Sequence, residues 1–344
     1  MKKYWVSLVI ILCISFPSFT ANAEEEETLT PYEVYERAVE LINDESIYAA
    51  SEAWLEYYDA MPHLEEDVSE AIMKHELFYK AIRKGGGEHS YGLLSDESTE
   101  AMAENYKTFD LGSDWTEEEK LQLIETFEVE NEWFDYPTID TLGNDIYLLT
   151  IPTPGYIPSY VIDKYVQTIH DYFNEIEVVE GIIIDFRNNY GGYFPTVLAS
   201  LAAFLPEGEL LYYEDNEGKQ SAIELKADQV SMNNENVLEF SPVKSILHTK
   251  VAIIINKQTV STPEIVALMF ENRDDVQIFG QNSGGFTSGL TLYYIGEDYY
   301  MYLATNRIVT LSGETYLDEP VVPDTLINFK EENVIQRAEE WLLK

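Results

Sequence analysis

Cysteine occurs once in 344 residues, at position 13. Cys13 falls inside an amino-terminal segment that reads as a targeting signal, so a mature chain would hold none. A disulfide framework and cysteine-based metal sites are thereby excluded. Basic residues are scarce as well: 21 Lys and Arg stand against 63 Asp and Glu, a net charge of −42. Such a field repels phosphate backbones and argues against nucleic acid as a partner. Cationic peptides are compatible with it, although the same acidity also serves solubility alone. Internal repeats are absent. No G-x-G-x-x-G run occurs, which argues against a dinucleotide site. Lysine is missing throughout Gln258–Thr310, an absence that later bears on mechanism.

The amino terminus is the first informative segment. Lys2 and Lys3 precede an apolar stretch over residues 4–19, Ala21-Asn22-Ala23 forms a small-x-small site, and Glu24 opens an acidic run. This is the pattern of a secretory signal peptide spanning residues 1–23. The apolar stretch is shorter than the roughly 20 residues of a membrane span. An uncleaved anchor, which would tether the chain to the membrane, is the alternative. Bulky Leu12 before Cys13 argues against a lipid anchor. The expected location is secreted or on the extracellular face of a bacterial membrane. Loss of Lys2 and Lys3 takes the charge to −44.

Hydrophobic periodicity divides the remainder. Residues 24–30 are an acidic leader. Residues 31–84 read as a helical N-terminal domain: Tyr35, Ala38, Val39 and Leu41-Ile42 recur at helical spacing, as do Ala50, Ala53-Trp54 and Tyr57-Tyr58. A third helix near Glu65–Arg83 stops at Gly85-Gly86-Gly87. Residues 85–143 form a histidine-bearing loop and cap, with a helix predicted over 116–127 from Thr116 and Glu117–Glu119. Over 144–344 strands and helices alternate. Strands are expected at Asp145–Ile151, Gly181–Phe186, Lys250–Asn256 and Val276–Phe279. Helices are expected at Pro158–Ile176, Thr196–Leu205 and Thr262–Asn272. Hairpin-like strands at Leu290–Ile295 and Tyr299–Val309 and a helix from about Glu331 complete the chain. The alternation predicts parallel βαβ units, an α/β core with helices on both faces.

Three segments carry candidate chemistry. In Asp185-Phe186-Arg187-Asn188-Asn189-Tyr190-Gly191-Gly192, paired glycines follow a buried strand, and their N–H groups suit an anion or an oxyanion. Alone, a tight strand-to-helix turn is the simpler account. In Thr259-Val260-Ser261-Thr262-Pro263-Glu264-Ile265, Pro263 fits a first helical turn and Ser261 sits at its cap, where free N–H groups favour developing negative charge. Alone, an ordinary N-cap serine with Glu264 completing a capping box is the simpler account. In Gly85–Gly92, His89 has an exposed-loop presentation suited to proton transfer, although alone a loop histidine is more simply a surface residue. His75 and His170 fall within helical patterns, and His63 and His248 near element ends.

Taken together the segments resemble the tail-specific, or C-terminal processing, serine proteases. The signature of that family is a hydrophobic strand with Asp-aliphatic-Arg-x-Asn-x-Gly-Gly, here GIIIDFRNNYGG with Phe186 at the aliphatic place. A second strand with Ser-x-x-Glu-Ile follows, here KVAIIINKQTVSTPEI. A looser loop match lies at Gly280–Gly285, and Val321-Val322-Pro323-Asp324 supplies the closing Pro-Asp. The resemblance spans residues 85–92 and about 144–327. Family members with a Ser–Lys dyad carry the lysine about 25 residues after the serine, and here that position is Phe286. The similarity is therefore to the nisin-resistance-like and tricorn-core-like branch, which uses a histidine; Gly87–Ser90 matches that histidine, and Thr259–Glu264 matches its serine motif. Too little chain separates His89 from Asp145 for a PDZ domain together with the predicted helix.

The resemblance implies a crotonase-like protease core without a PDZ domain, and no metal or cofactor. It implies Ser261 as nucleophile, His89 as its base and Glu264 orienting the loop or the histidine. Backbone N–H groups of Thr262 and of Gly191 or Gly192 would hold the oxyanion. The acid limb of activity is expected near 6.5, the ordinary histidine value. The substrate would be a peptide or protein, extended or cationic, with antimicrobial-peptide resistance as the implied role. A non-catalytic peptide-binding protein on the same fold is the alternative. A coenzyme-A enzyme of crotonase type is disfavoured by the signal peptide.

Overall fold

The computed structural model describes residues 29–61, 77–94, 136–154, 159–296 and 299–344. The signal segment, most of the third predicted helix and the helix predicted over 116–127 lie outside the described residues.

Helix α1 (Pro31–Glu45) starts where Thr30 and Glu33 cap one another reciprocally, with Pro31 in the first turn. That arrangement satisfies two otherwise orphaned N–H groups. Short helices α2 (Glu52–Asp59) and α3 (Tyr79–Gly85) follow. Their apolar stripe, including Val34, Tyr35, Ile42, Trp54, Phe78 and Ile82, is buried together with Ile295, Met301 and Leu303 from the later strands. The N-terminal helices thus pack onto a sheet face rather than only onto one another.

Strand β1 (Tyr91–Leu94) comes next, then hairpin β2 (Thr138–Gly143) and β3 (Ile146–Thr150), helix α4 (Ser159–Glu175), strand β4 (Gly181–Asp185) and helix α5 (Phe194–Ser200). A four-strand meander follows: β5 (Gly208–Glu214), β6 (Gln220–Lys226), β7 (Gln229–Met232) and β8 (Glu235–Glu239). The remaining elements are β9 (Lys250–Ile255), α6 (Thr262–Leu268), β10 (Val276–Gly280), β11 (Ser288–Gly296), β12 (Tyr299–Thr310), β13 (Thr315–Tyr316), β14 (Thr325–Leu326) and α7 (Val334–Leu342).

Two sheets organise these elements. One has the order β14-β10-β9-β4-β3-β2 and is parallel except for β2. Its central strands β3, β4 and β9 are buried on both faces, as the isoleucine-rich runs of β4 and β9 require. On one face Ile182, Ile184, Val251 and Ile253 pack with Val166, Ile169, Phe173 and Val197 from α4 and α5. On the other, Ile183, Ala252 and Ile254 meet Val334, Ala338 and Leu342 of α7. Each fully buried isoleucine stabilises by about 1.5–3 kcal/mol. The boundary expected at 143–144 falls within the β2–β3 turn, so this sheet begins at Thr138.

The second sheet is antiparallel, in the order β1-β12-β5-β6-β7-β8, with β11 and β13 also paired to β12. The β5–β8 meander was not foreseen. Its clearest local mark is Asn233-Asn234, both at positive φ in the two-residue turn joining β7 to β8, a hairpin signal.

Strand order positions the candidate site. Strands β4, β9 and β10 are adjacent and parallel, so the loops leaving their C-terminal ends emerge side by side. Open parallel sheets commonly build sites at that edge. The antiparallel sheet brings in the rest: His89 lies two residues before the first residue of β1, and Ser288 opens β11.

Candidate active site

Ser261 joins β9 to α6 at φ 63° and ψ −118°. Ser261 caps α6 in a capping box with Glu264, but an ordinary N-cap residue lies in the extended region at negative φ, so capping alone does not account for this backbone. Positive φ in a non-glycine residue is strained, and the strand-to-helix serine of hydrolases has the same character. Ser261 is half-buried. The Ser261 carbonyl oxygen accepts from the N–H groups of Glu264 and Ile265.

The β4 loop lies directly against this turn. A Cβ built on Gly191 would stand 3.0 Å from Ser261 Cβ and 3.4 Å from its Oγ. On Gly192 it would lie 2.1 Å from the Pro154 carbonyl oxygen. Both glycines have φ near +100°. Close approach and positive φ together explain why neither position takes a side chain. The Gly191 N–H donates to Asn189 Oδ1 at 3.0 Å, and is therefore already engaged. The N–H groups of Gly192 and Thr262 have no partner among the described residues. Thr262 Oγ1 donates to the Gly192 carbonyl at 2.7 Å, and Val260 N–H to Asn189 O at 3.0 Å. The two loops are thereby pinned together.

Glu264 is fully buried and ties in the third loop. Its carboxylate accepts from Ser261 N–H at 2.5 Å, Ser283 Oγ at 2.5 Å, Gly285 N–H at 2.8 Å and Phe286 N–H at 2.9 Å. Burial pushes its pKa up to about 7, and the four donors oppose that rise. Glu264 thus orients the loops around Ser261, while the hydrogen-bond partner of the histidine is another residue.

That partner is Ser288, whose Oγ lies 2.9 Å from His89 Nδ1. His89 is only 7% exposed, so the expected exposed-loop presentation is corrected: Phe286 and the start of β11 enclose the ring. Burial lowers the His89 pKa to about 4, with a smaller opposing contribution from Ser288. The imidazole is accordingly neutral at neutral pH.

Asp318, at φ 52°, completes the cluster. Burial raises its carboxyl pKa, while Tyr48, Ser288 and the backbone of Glu88 hold it down. Tyr48 Oη donates to its Oδ2 at 2.5 Å, and Oδ1 is buried without a hydrogen bond of regular geometry. Sequence reasoning missed both Ser288 and Asp318, because neither sits in a motif and they come from separate strands and loops. His170 is occupied structurally, with its ring nitrogens against the carbonyl oxygens of Ser241 and Ala199.

A strained serine at the C-terminal edge of a parallel sheet, facing a glycine pair, is the layout of a peptidase of the serine class on an α/β scaffold. Residues 153–327 match the model of peptidase family S41, and the chain belongs to that family. A curated relative, the nisin-resistance protein of Lactococcus lactis subsp. lactis, is 27% identical over 178 residues, covering 50% of this chain and 54% of the relative. The match thus spans about half the length of that protein. Among solved structures, a lipoprotein from Streptococcus agalactiae superposes with a TM-score of 0.69 at 21% identity, covering 92% of this chain and 96% of that one. The photosystem II D1 C-terminal processing protease superposes at 0.58 with 12% identity, covering 87% and 94%. At these identities the likeness is one of fold.

Proposed function

We propose that the chain is an extracellular serine peptidase in which Ser261 is the nucleophile and His89 the general base. The observation that carries this reading is the strained Ser261 backbone against Gly191, a conformation an ordinary helix cap has no need of. In the proposed reaction Ser261 Oγ attacks the peptide carbonyl while its proton passes to Nε2 of neutral His89. Nδ1–H then faces Ser288 Oγ, whose hydroxyl turns toward Asp318, a carboxylate that favours the imidazolium as it forms. The Gly192 and Thr262 N–H groups, both without partners among the described residues, hold the oxyanion; one such donor is worth about 10²–10³ in rate. Gly191 contributes close approach. Glu264 holds the Ser261 and 283–286 loops.

An envelope location is supported by the signal-like residues 1–23. No helix among the described residues is long and apolar enough to cross a membrane. Cationic peptides are the proposed substrates, on the strength of the charge and of the nisin-resistance relative, with protection against antimicrobial peptides as the role. The test is labelling with a fluorophosphonate probe. Wild type should be labelled and Ser261→Ala should not; an unlabelled wild type would favour a peptide-binding protein on the same fold.

A further inference from the structure

Tyr48 lies between α1 and α2, and the proposed acyl transfer makes no use of it. Its hydroxyl donates to Asp318 Oδ2 at 2.5 Å. Its ring lies so close over Gly87 that a Cβ there would come within 2.2 Å of Tyr48 Cε2. One side chain thus touches both the acid behind Ser288 and the backbone two residues before His89.

Tyr48 is itself held from several sides. Ser46 Oγ accepts the Tyr48 N–H at 3.0 Å and donates to the Gly85 carbonyl at 2.5 Å. Ile47 N–H donates to Ala304 O on β12 at 3.0 Å. Ser90, just after the histidine, is fixed in the same way, donating to Gly86 O and accepting from Ala304 N–H. Residues 46–48 therefore form a strap that joins the histidine loop to β12.

The contact is chemically one-directional. Asp318 Oδ1 has no hydrogen bond of regular geometry, so the phenol is the strongest of the donors that hold this half-buried carboxyl, ahead of Ser288 and the Glu88 backbone. Removing a donor from a buried carboxylate favours its protonated form. The titratable groups facing the phenol are Asp318 and Glu88, with His89 next along the loop. Burial and those two carboxyls push the phenol far above its ordinary range, so it remains a neutral donor at every working pH.

We infer that Tyr48 is a positioning residue for the His89 base, holding Asp318 in its acceptor state and the Gly87–His89 loop in register. The N-terminal helical segment thereby completes the active site. This rests on the Ser261–His89 reading above.

The test is Tyr48→Phe in the full chain, which keeps the ring over Gly87 and removes only the hydroxyl. Per fluorophosphonate-titrated site, kcat should fall about tenfold, the scale of one hydrogen bond to a charged group, with KM unchanged. The acid limb should move to higher pH, because Asp318 then takes up a proton earlier. Adding Tyr48→Phe to Asp318→Asn should cause no further loss, since an amide leaves the phenol no carboxylate to hold in its acceptor state. Side-chain ¹⁵N spectra should show His89 losing its Nδ1–H tautomer. A variant with wild-type kcat and acid limb, changed only in melting temperature, would overturn the inference. Should wild type itself resist labelling, the peptidase reading fails, and the tautomer comparison then decides for Tyr48. An unchanged His89 spectrum would overturn its positioning role there too.

Discussion

The ring of Phe286 meets the His89 imidazole edge-on, with centroids 5.5 Å apart and planes at 68°. Phe286 stands 25 residues after Ser261, where Ser–Lys members of the tail-specific proteases carry their lysine. An apolar ring at that place does the opposite of an ammonium: it excludes water from a neutral imidazole. Its backbone amide is held by Glu264, so the ring is fixed relative to the Ser261 loop. Phe286→Ala should admit water and raise the His89 pKa from about 4 toward 6.5, carrying the acid limb of kcat/KM with it. Removing the ring contact alone loses about 0.5–1.5 kcal/mol. Titration of the His89 ring by NMR reads the change directly; an unmoved pKa would mean that other groups keep the site dry.

Ser261 makes a paired prediction. Ser261→Ala should leave less than about a tenth of wild-type turnover, since losing a nucleophile removes orders of magnitude. Ser261→Gly should be equally inactive yet more stable than the alanine variant by about 1 kcal/mol, because glycine adopts φ 63° without strain. Thermal melting compares the two. If glycine melts no higher than alanine, the turn does not store strain.

His89→Ala should be nearly as damaging as Ser261→Ala, whereas Lys257→Ala should leave turnover close to wild type. Lys257 is the lysine nearest Ser261 in sequence. A reversed ranking, or an acid limb well above pH 8, would point to lysine as the base.

How far the sequence disclosed this arrangement depended on whether chemistry was local. GIIIDF and KVAIII announced the central parallel strands through continuous burial, and the Gly191-Gly192 and Ser261 turns followed from motif and spacing. Ser288 and Asp318 could not be read, because their relation to His89 exists only once β1 and β11 both pair with β12. His89 was seen but its environment was misjudged, since three preceding glycines suggest exposure while Phe286, nearly 200 residues later, buries the ring. The β5–β8 meander was passed over because its strands are mixed in polarity. Gly191 was read as a donor, but the Asn189 side chain takes its N–H, a bond that spacing does not reveal.

Stability against pH should show two opposed contributions. The Glu264 pKa is raised to about 7, so its contribution is fully present below about 4.5 and is lost as pH rises through 7. The His89 pKa is lowered to about 4, so its contribution is present above about 6.5 and is lost as pH falls through 4. Glu264→Gln should flatten the loss between pH 4.5 and 7. It should also lower overall stability by about 1–3 kcal/mol, because an amide NH₂ would face N–H donors. Urea unfolding at pH 4.5, 5.5 and 7 measures both effects. A Gln variant that keeps the wild-type slope would assign the Glu264 titration elsewhere.

The final prediction concerns the substrate. Asp163 and Asp228 line a groove between α4 and the end of β8, together with Glu239 and Phe240. Tyr193, next to the Gly192 turn, donates its hydroxyl to the Val237 carbonyl on β8 at 3.3 Å. With a net charge of −42, the chain should attract cationic peptides from a distance and hold their apolar side chains locally. Attraction of that kind raises the encounter rate and is screened within about 8–10 Å at 0.1–0.15 M salt. Digestion of matched cationic and anionic peptide libraries should therefore give a higher kcat/KM for the cationic set at low salt, with the advantage shrinking as salt is added. The Asp163→Asn, Asp228→Asn and Glu239→Gln triple variant should reduce that advantage while leaving fluorophosphonate labelling at the wild-type rate. Equal kcat/KM for both libraries at every ionic strength would remove the cationic preference and leave a peptidase that selects on backbone and apolar contacts alone.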